Sequence, residues 1–225
     1  MERKRLIDPQ GFSKALQDTL ASLYEVFEQA RETKLAPTSP EGVIRYLEEY
    51  GKNYFQVAGQ FERPSEFLRT LLDMIRVCFE AGPGTFFLNG NPGFLLDGLP
   101  NQSFRLGYLS LLSEPDQSFE AFWSDTVVPV LETRGYPLDE VTRLFAVVSM
   151  GRQRFSLEFM ADVQRLLGAG FSAEEAMQLI QSDMSPDVSR PSKQAYVGFC
   201  KAPELETRLR LSLWLILLPR SDMTH

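Results

Sequence analysis

Histidine and cysteine, the side chains that most often carry nucleophilic or metal chemistry, are scarce in this chain. The only histidine is His225, the last residue of the sequence, and terminal residues are seldom held in place. A Ser–His or Cys–His pair needs a base held within reach of the nucleophile. The two cysteines, Cys78 and Cys200, have neither a disulfide framework nor the CxxC spacing of a metal knuckle, and whether they lie close together stays open. The sequence therefore predicts no catalytic residue and no metal ligand.

The stretch 82–100 is the natural place to look for a ligand-binding loop, because it holds five of the fifteen glycines and three of the fourteen prolines. It lacks the Lys-Ser/Thr ending of a phosphate-binding loop, the GxGxxG spacing of a dinucleotide fold and the ligand spacing of a calcium loop. No cofactor is predicted there. We expect a rigid joint, either a small hairpin or an irregular loop, in which Phe86, Phe87 and Phe94 are mostly buried. If the three are exposed in one patch, they form a binding surface instead.

Arginine supplies the one candidate anion site in the acidic part of the chain. Residues 113–185 carry twelve acidic and five basic side chains and no lysine. Arg143, Arg152 and Arg154 are expected around the turn between two predicted helices. There they could bind carboxylate or phosphate in a bidentate manner, although pairing with nearby surface acids is their more ordinary role. The acidic balance argues against direct contact with a nucleic-acid backbone.

The segment 166–180 resembles the Gly-Phe-Ser-x-Glu-x-Ala pattern of ubiquitin-associated domains, and it is equally similar to a turn in many helical regulators. Ser172 and Glu175 form a capping box, so the pattern largely restates a helix start. As a DNA-reading helix it is unsuited, because it offers Glu174 and Glu175 and no basic side chain for base edges or phosphates.

Helical periodicity surrounds the stretch 82–100 on both sides. Apolar residues recur there at spacings of three and four, which is typical of amphipathic helices. Seven helices are predicted, beginning near Asp8, Ser39, Pro64, Asp116, Leu138, Ser156 and Ser172. A further short helix, interrupted by Gly107, is expected within 101–113, and Pro129 is expected to kink or shorten the fourth helix.

The pattern changes after a Pro-containing linker at 182–193. Residues 195–200 look like a strand. Leucines then alternate from Leu209 to Leu217, and this period of two favours a second strand antiparallel to the first. A helix over 208–218 stays open as the alternative, because Glu204 and Glu206 stand four residues before Arg208 and Arg210.

Together these patterns predict a mainly α protein of about seven helices with a minor β component. The α+β arrangement has a central Gly/Pro-rich hairpin or loop and a C-terminal strand pair. We expect a single domain over 1–225, and a split near residue 100 into two helical lobes is the alternative. Its predicted sub-regions are a helical part at 1–81, the joint at 82–100, an acidic helical part at 101–183 and a β-hairpin at 194–218.

The functional prediction is a non-enzymatic, soluble, cytoplasmic protein-interaction protein: an adaptor, an assembly factor, an inhibitor or immunity protein, or a small helical subunit of a complex. Its partner is expected to be another protein, homo-oligomerisation stays open, and direct nucleic-acid binding is less expected. No signal peptide and no apolar run long enough to span a bilayer is recognised. The alternatives are an accessory subunit of a nucleic-acid-handling complex and a carrier of an apolar ligand. The candidate interaction residues are Phe86, Phe87, Phe94, Trp123, Arg143, Arg152, Arg154 and Trp214.

Overall fold

The structure of the protein is a computed structural model that describes residues 6–18, 21, 61–79, 99–151, 156–168 and 194–217. Within these residues, strands and helices are interleaved along the chain. Four strands form one sheet: β1 (Arg105–Leu112), β2 (Val141–Met150), β3 (Gln194–Lys201) and β4 (Leu209–Leu217). Four helices accompany it: α1 (9–18), α2 (Pro64–Phe79), α3 (119–133) and α4 (Leu157–Gly168).

The sheet is mixed, and its strand order is β1-β4-β2-β3. Strand β4 is antiparallel to both of its neighbours, whereas β2 and β3 are parallel. Helices α1 and α2 contribute to the core on one side of the sheet, which we call the front layer. Helices α3 and α4 contribute to the core on the other side, which we call the back layer. The architecture is therefore a helix–sheet–helix sandwich of the α+β class.

Every residue of the central strand β4 is buried. The leucines at its odd positions pack into the back layer. Trp214 and Ile216, at even positions, pack into the front layer. Side chains alternate between the two faces of a strand, so the leucine alternation marks a strand covered on both sides.

The prediction of a mainly α protein with about seven helices is wrong. The segments 101–113 and 138–148, predicted as helices, contain strands β1 and β2. Strand β2 has Leu144, Ala146 and Val148 on one face and Phe145 and Val147 on the other, all of them buried. A run that is apolar on both faces satisfies helical spacing as easily as strand spacing, so periodicity alone does not separate the two.

The two C-terminal strands are confirmed, but their direct pairing is wrong. Strand β2 lies between β3 and β4. The open alternative of a helix over 208–218 is also excluded, since Leu209–Leu217 is a strand. The connection between β3 and β4 contains a short 3-10 turn, Pro203–Leu205, rather than a hairpin turn.

Three predicted helices, α1, α2 and α4, are confirmed within the described residues. The Asp8 carboxylate accepts from the Gly11 amide at the start of α1, and the oxygen of Ser156 accepts from the Phe159 amide at the start of α4. Helix α3 begins after Ser118 rather than Asp116. It continues past Pro129 because the preceding turn widens into a π-helix, Trp123–Val127. A proline ring clashes with the carbonyl four residues earlier in an α-helix, and a wider turn relieves that clash.

Several predicted segments lie outside the described residues. They are the second predicted helix after Ser39, most of the joint at 82–98, the capping-box helix after Ser172 and the linker at 182–193. The single domain over 1–225 stays a prediction. No helix within the described ranges is long and apolar enough to cross a membrane.

A buried ion pair joins α2 to the central strand. Asp73 is fully buried and Arg210 is 4% exposed. The two oxygens of the Asp73 carboxylate accept from Arg210 Nη2 at 3.0 Å and Nε at 3.1 Å, and Oδ2 also accepts from the Ser212 hydroxyl at 2.6 Å. Ser212 in turn lies 3.1 Å from the Ser110 oxygen on β1. A charge inside a two-sided core is tolerated only when it is paired and hydrogen-bonded in this way.

We predict that Asp73→Ala lowers the free energy of unfolding by about 3–5 kcal/mol, because it leaves the Arg210 guanidinium buried without its counter-ion. Replacing both partners with apolar residues, as in Asp73→Leu/Arg210→Met, costs less than the single change. Urea denaturation measures both values. The matched control is Asp162→Ala, which removes an exposed pair with Arg165 and should cost at most about 1 kcal/mol. Equal costs for Asp73→Ala and Asp162→Ala would contradict this account.

Candidate binding cleft at the edge of strand β1

Strand β1 is an edge strand, and alternate main-chain groups of an antiparallel strand point to opposite sides. The amide of Ser113 donates to the Leu209 carbonyl at 2.8 Å, continuing the β1–β4 ladder. Odd-numbered residues of this stretch therefore face β4. The amides and carbonyls of even-numbered residues face outward, away from the sheet.

One end of this outward edge is closed by the segment before α1. Ile7 forms an antiparallel bridge with Phe104. The Ile7 amide donates to the Phe104 carbonyl at 2.8 Å, and the Phe104 amide donates to the Ile7 carbonyl at 3.3 Å. The outward groups of Phe104 are thus satisfied.

The other end is closed by side chains from both helical layers, which we call the edge clamp (Glu66, Arg134 and the Ser110 amide). Glu66 Oε1, on α2, accepts from the Ser110 amide at 3.1 Å. Arg134 Nη1, just after α3, donates to the two Glu66 oxygens at 2.9 and 3.0 Å and to the Tyr108 carbonyl at 3.5 Å. The clamp therefore ties the front layer to the back layer around the edge of β1.

Between the Ile7 bridge and the edge clamp lies an open window, which consists of the Leu106 amide, the Leu106 carbonyl and the Tyr108 amide. No described residue hydrogen-bonds to these three outward groups. A cleft of about 390 Å³ lies beside them. Its lining comprises Leu6, Ile7, Asp8, Gly11, Phe12, Phe61, Glu62, Arg105, Leu106, Tyr108 and Tyr136.

Aromatic rings make the front wall of the cleft rigid. Phe61 stacks on Phe67 at 4.2 Å between ring centroids and meets Tyr108 edge-on at 5.3 Å. Phe12 meets Phe61 edge-on at 6.2 Å. The Tyr108 hydroxyl accepts from the Arg63 amide at 3.0 Å, which fixes the ring's polar end. These contacts give the wall one shape before any ligand binds.

Tyr136 forms the back wall, and its position requires the glycine beneath it. A Cβ atom at Gly107 would lie 3.0 Å from the Tyr136 ring and 3.2 Å from Leu215 Cβ. Burial, together with smaller contributions from the neighbouring Tyr108 and Glu62, raises the pKa of Tyr136 to about 12. Burial also raises the pKa of Tyr108. Both phenols are therefore neutral at physiological pH.

The charged groups at the cleft give it an acidic character. Arg105 is paired with Glu140, so its positive charge is balanced. Asp8 accepts from the Gly11 amide at 2.8 Å and caps α1 while its side chain stays exposed to solvent. Glu62 is exposed. In the part of the chain that the structure describes, neither Asp8 nor Glu62 has an ion-pair partner, and both carboxylates face solvent.

The residues predicted from sequence lie elsewhere. Trp214 is fully buried in the front layer, and Trp123 is partly buried on α3, where it stacks on Phe119. Arg143 lies within β2, not at a turn between helices. None of these three lines the cleft. The others, Phe86, Phe87, Phe94, Arg152 and Arg154, lie outside the described residues.

Sequence reasoning missed Leu106, Tyr108 and Tyr136. A signal is present in the sequence, because Gly107 interrupts an apolar run. A glycine within a strand often marks a place where another group packs directly against the strand backbone. A helix predicted over 101–113 makes that glycine a helix interruption instead. The outward direction of the Leu106 amide is not encoded by its side chain.

No protein-family model matches the chain, and no curated protein sequence matches it. Among the described residues, no group of three or more His, Cys, Asp or Glu side chains is arranged to hold a metal ion. The chemistry of the cleft therefore has to be argued from its geometry.

We predict that Tyr136 makes stability depend on alkaline pH. Its pKa is about 12 when folded and 10.0 ordinarily, so the folded state keeps a proton that the unfolded state loses. This contribution is fully present below pH 10 and is lost as the pH rises from 10 towards 12. Urea unfolding of Tyr136→Phe across that range should show a shallower fall in stability than the wild type. Parallel curves for the two proteins would contradict the burial of this phenol.

Proposed function

We propose that the protein is a non-enzymatic protein-interaction protein that binds an extended segment of another polypeptide at the open window of β1. The observation that carries this proposal is the set of outward main-chain groups of Leu106 and Tyr108 beside an aromatic-walled cleft. Adaptor, assembly factor, inhibitor and complex subunit are all roles that such binding would serve.

Strand addition explains how such a segment would be held. The residue of the bound segment that lies opposite Leu106 would exchange two main-chain hydrogen bonds with it. Another carbonyl of the same segment would accept from the Tyr108 amide. Main-chain bonds of this kind supply affinity, and pockets for alternate side chains supply specificity. The bound segment would place its side chains alternately against Phe61 in the front wall and Tyr136 in the back wall.

The ionisable groups of the cleft support binding rather than catalysis. Asp8 is used to cap α1, and Arg105 is paired with Glu140. The raised pKa of Tyr136 keeps this phenol protonated near neutral pH, far from the pKa that a general acid or base would need there. A general acid or base works best with a pKa near the operating pH.

The acidic character of the cleft also speaks against a nucleic-acid backbone as its ligand, since phosphates need basic side chains. The soluble, cytoplasmic state stays part of the proposal, and its support is compositional. Charged residues make up 24% of the chain and the mean hydropathy is −0.17.

A carrier of a small apolar ligand is the second candidate. The volume of about 390 Å³ and the rings of Phe12 and Phe61 favour it, because small-molecule sites are typically apolar clefts of several hundred Å³. Native mass spectrometry of the freshly purified protein separates the two functions. A stoichiometric bound small molecule supports the carrier, and its absence favours the peptide site.

Binding through the open window is tested by removing one outward donor. Peptides selected from a random-peptide display library should bind Leu106→Pro roughly fivefold more weakly than Leu106→Ala, because proline alone removes the amide hydrogen and one hydrogen bond is worth about 1 kcal/mol. Proline is tolerated in an edge strand when its missing N–H faces outward. Fluorescence anisotropy measures the affinities, and thermal unfolding confirms that both variants are folded.

Leu112→Pro is the matched control, because its amide also faces outward but lies beyond the edge clamp. It should bind the selected peptides like the wild type. The proposal is contradicted if Leu106→Pro and Leu106→Ala bind equally well, or if the library yields no binder.

A further inference from the structure

The charged side chains that line the cleft without an ion-pair partner among the described residues are both acidic. Asp8 and Glu62 line the cleft with exposed carboxylates, and the only basic side chain in the lining, Arg105, is paired with Glu140. The edge clamp lies outside this lining, and there Glu66 faces two guanidinium groups, Arg134 at 2.9 Å and Arg63 at 3.9 Å. In the lining itself, an incoming segment meets two carboxylates that have no ion-pair partner among the described residues.

We propose that the occupant of this cleft is a basic extended segment of a partner protein, with lysine or arginine at alternate positions. The inference rests on the proposed function and names the chemistry of its partner.

The alternation follows from the geometry of strand addition. Side chains of an added strand alternate between the two faces of the sheet. Asp8 and Glu62 both precede helices of the front layer, so every second side chain of the segment passes them. The intervening side chains pass Tyr136 in the back wall, which has no free charge and suits an apolar residue.

The front wall suits a cation in a second way. Phe12, Phe61 and Tyr108 line the cleft and belong to the core of the front layer, and Asp8 and Glu62 precede the two helices of that layer. A lysine or arginine stem packs on such rings, and its charge is attracted to their faces. Electrostatic complementarity of this kind also speeds association and rejects acidic partners.

Two other occupants must be distinguished from a partner's basic segment. A second copy of this chain brings a net charge of −7 to an acidic cleft. The chain's own residues Arg3, Lys4 and Arg5 are basic, and extending the Ile7–Phe104 pairing by two residues on each strand would set Arg5 opposite Leu106. The experiment therefore includes a variant that lacks residues 1–5.

The probes are two capped peptides, Val-Lys-Val-Lys-Val and Val-Gln-Val-Gln-Val. Each can pair with β1 in the register that directs its polar side chains towards the front layer. Each is titrated into the 15N-labelled protein, and the NMR shifts of the Leu106 and Tyr108 amides report the affinity. The lysine peptide should bind roughly threefold to tenfold more tightly, as expected for two partly exposed ion pairs. This advantage should shrink at high salt.

The variant Asp8→Asn/Glu62→Gln should abolish the advantage of the lysine peptide. Asparagine also caps helix N-termini, so the double change removes two negative charges and keeps the fold intact. Glu158→Gln, which neutralises an exposed carboxylate on α4, is the matched control and should keep the advantage.

Equal binding of the two peptides at the Leu106 and Tyr108 amides overturns the basic partner and leaves the proposed peptide site standing. Binding that appears only after removal of residues 1–5 also overturns it, because the chain's own basic segment is then the occupant. If neither peptide shifts these amides in either protein, both the basic partner and the proposed function fail.

Discussion

The buried Asp73–Arg210 pair is the constraint on which the rest of the structure depends. Strand β4 is covered on both faces, so a guanidinium at Arg210 is tolerated only where a carboxylate reaches it inside the core. This requirement fixes the position of α2 over the sheet. Glu66 stands seven residues before Asp73, about two helical turns away on the same face of α2. The pair that anchors α2 over β4 thereby brings Glu66 to the edge of β1.

The cleft exists because the outward edge of β1 is covered only in part. Unpaired edges invite uncontrolled association, and proteins usually cover, charge or shorten them. Here the Ile7 bridge covers one end and the edge clamp covers the other. Between them, within the part of the chain that the structure describes, lies the open window of three main-chain groups, and the outward amide of Leu112 lies beyond the clamp. Carboxylates and aromatic rings flank the window, and for this reason we interpret it as a binding site.

Much of the local structure could be predicted from sequence, because helix starts carry local signals such as Pro64 and Ser156. The class of the fold could not be predicted from the sequence. Strand β2 is apolar on both faces, and its spacing satisfies a helix as well as a strand until tertiary partners decide. The pairing of β4 with β1 and β2 joins segments about a hundred and about seventy residues apart, which no local pattern reveals. The cleft is hidden from the sequence for the same reason, since the role we propose for Leu106 depends on the direction of its amide and not on its side chain.

Amide hydrogen exchange tests the central claim most directly. In the free protein, the outward amides of Leu106 and Tyr108 should exchange rapidly, while those of Gly107 and Leu109, which face β4, should be protected. Saturation with a bound extended peptide should then protect Leu106 and Tyr108 and leave their neighbours unchanged. Protection of Leu106 and Tyr108 already in the free protein, or no change on binding, would contradict the account.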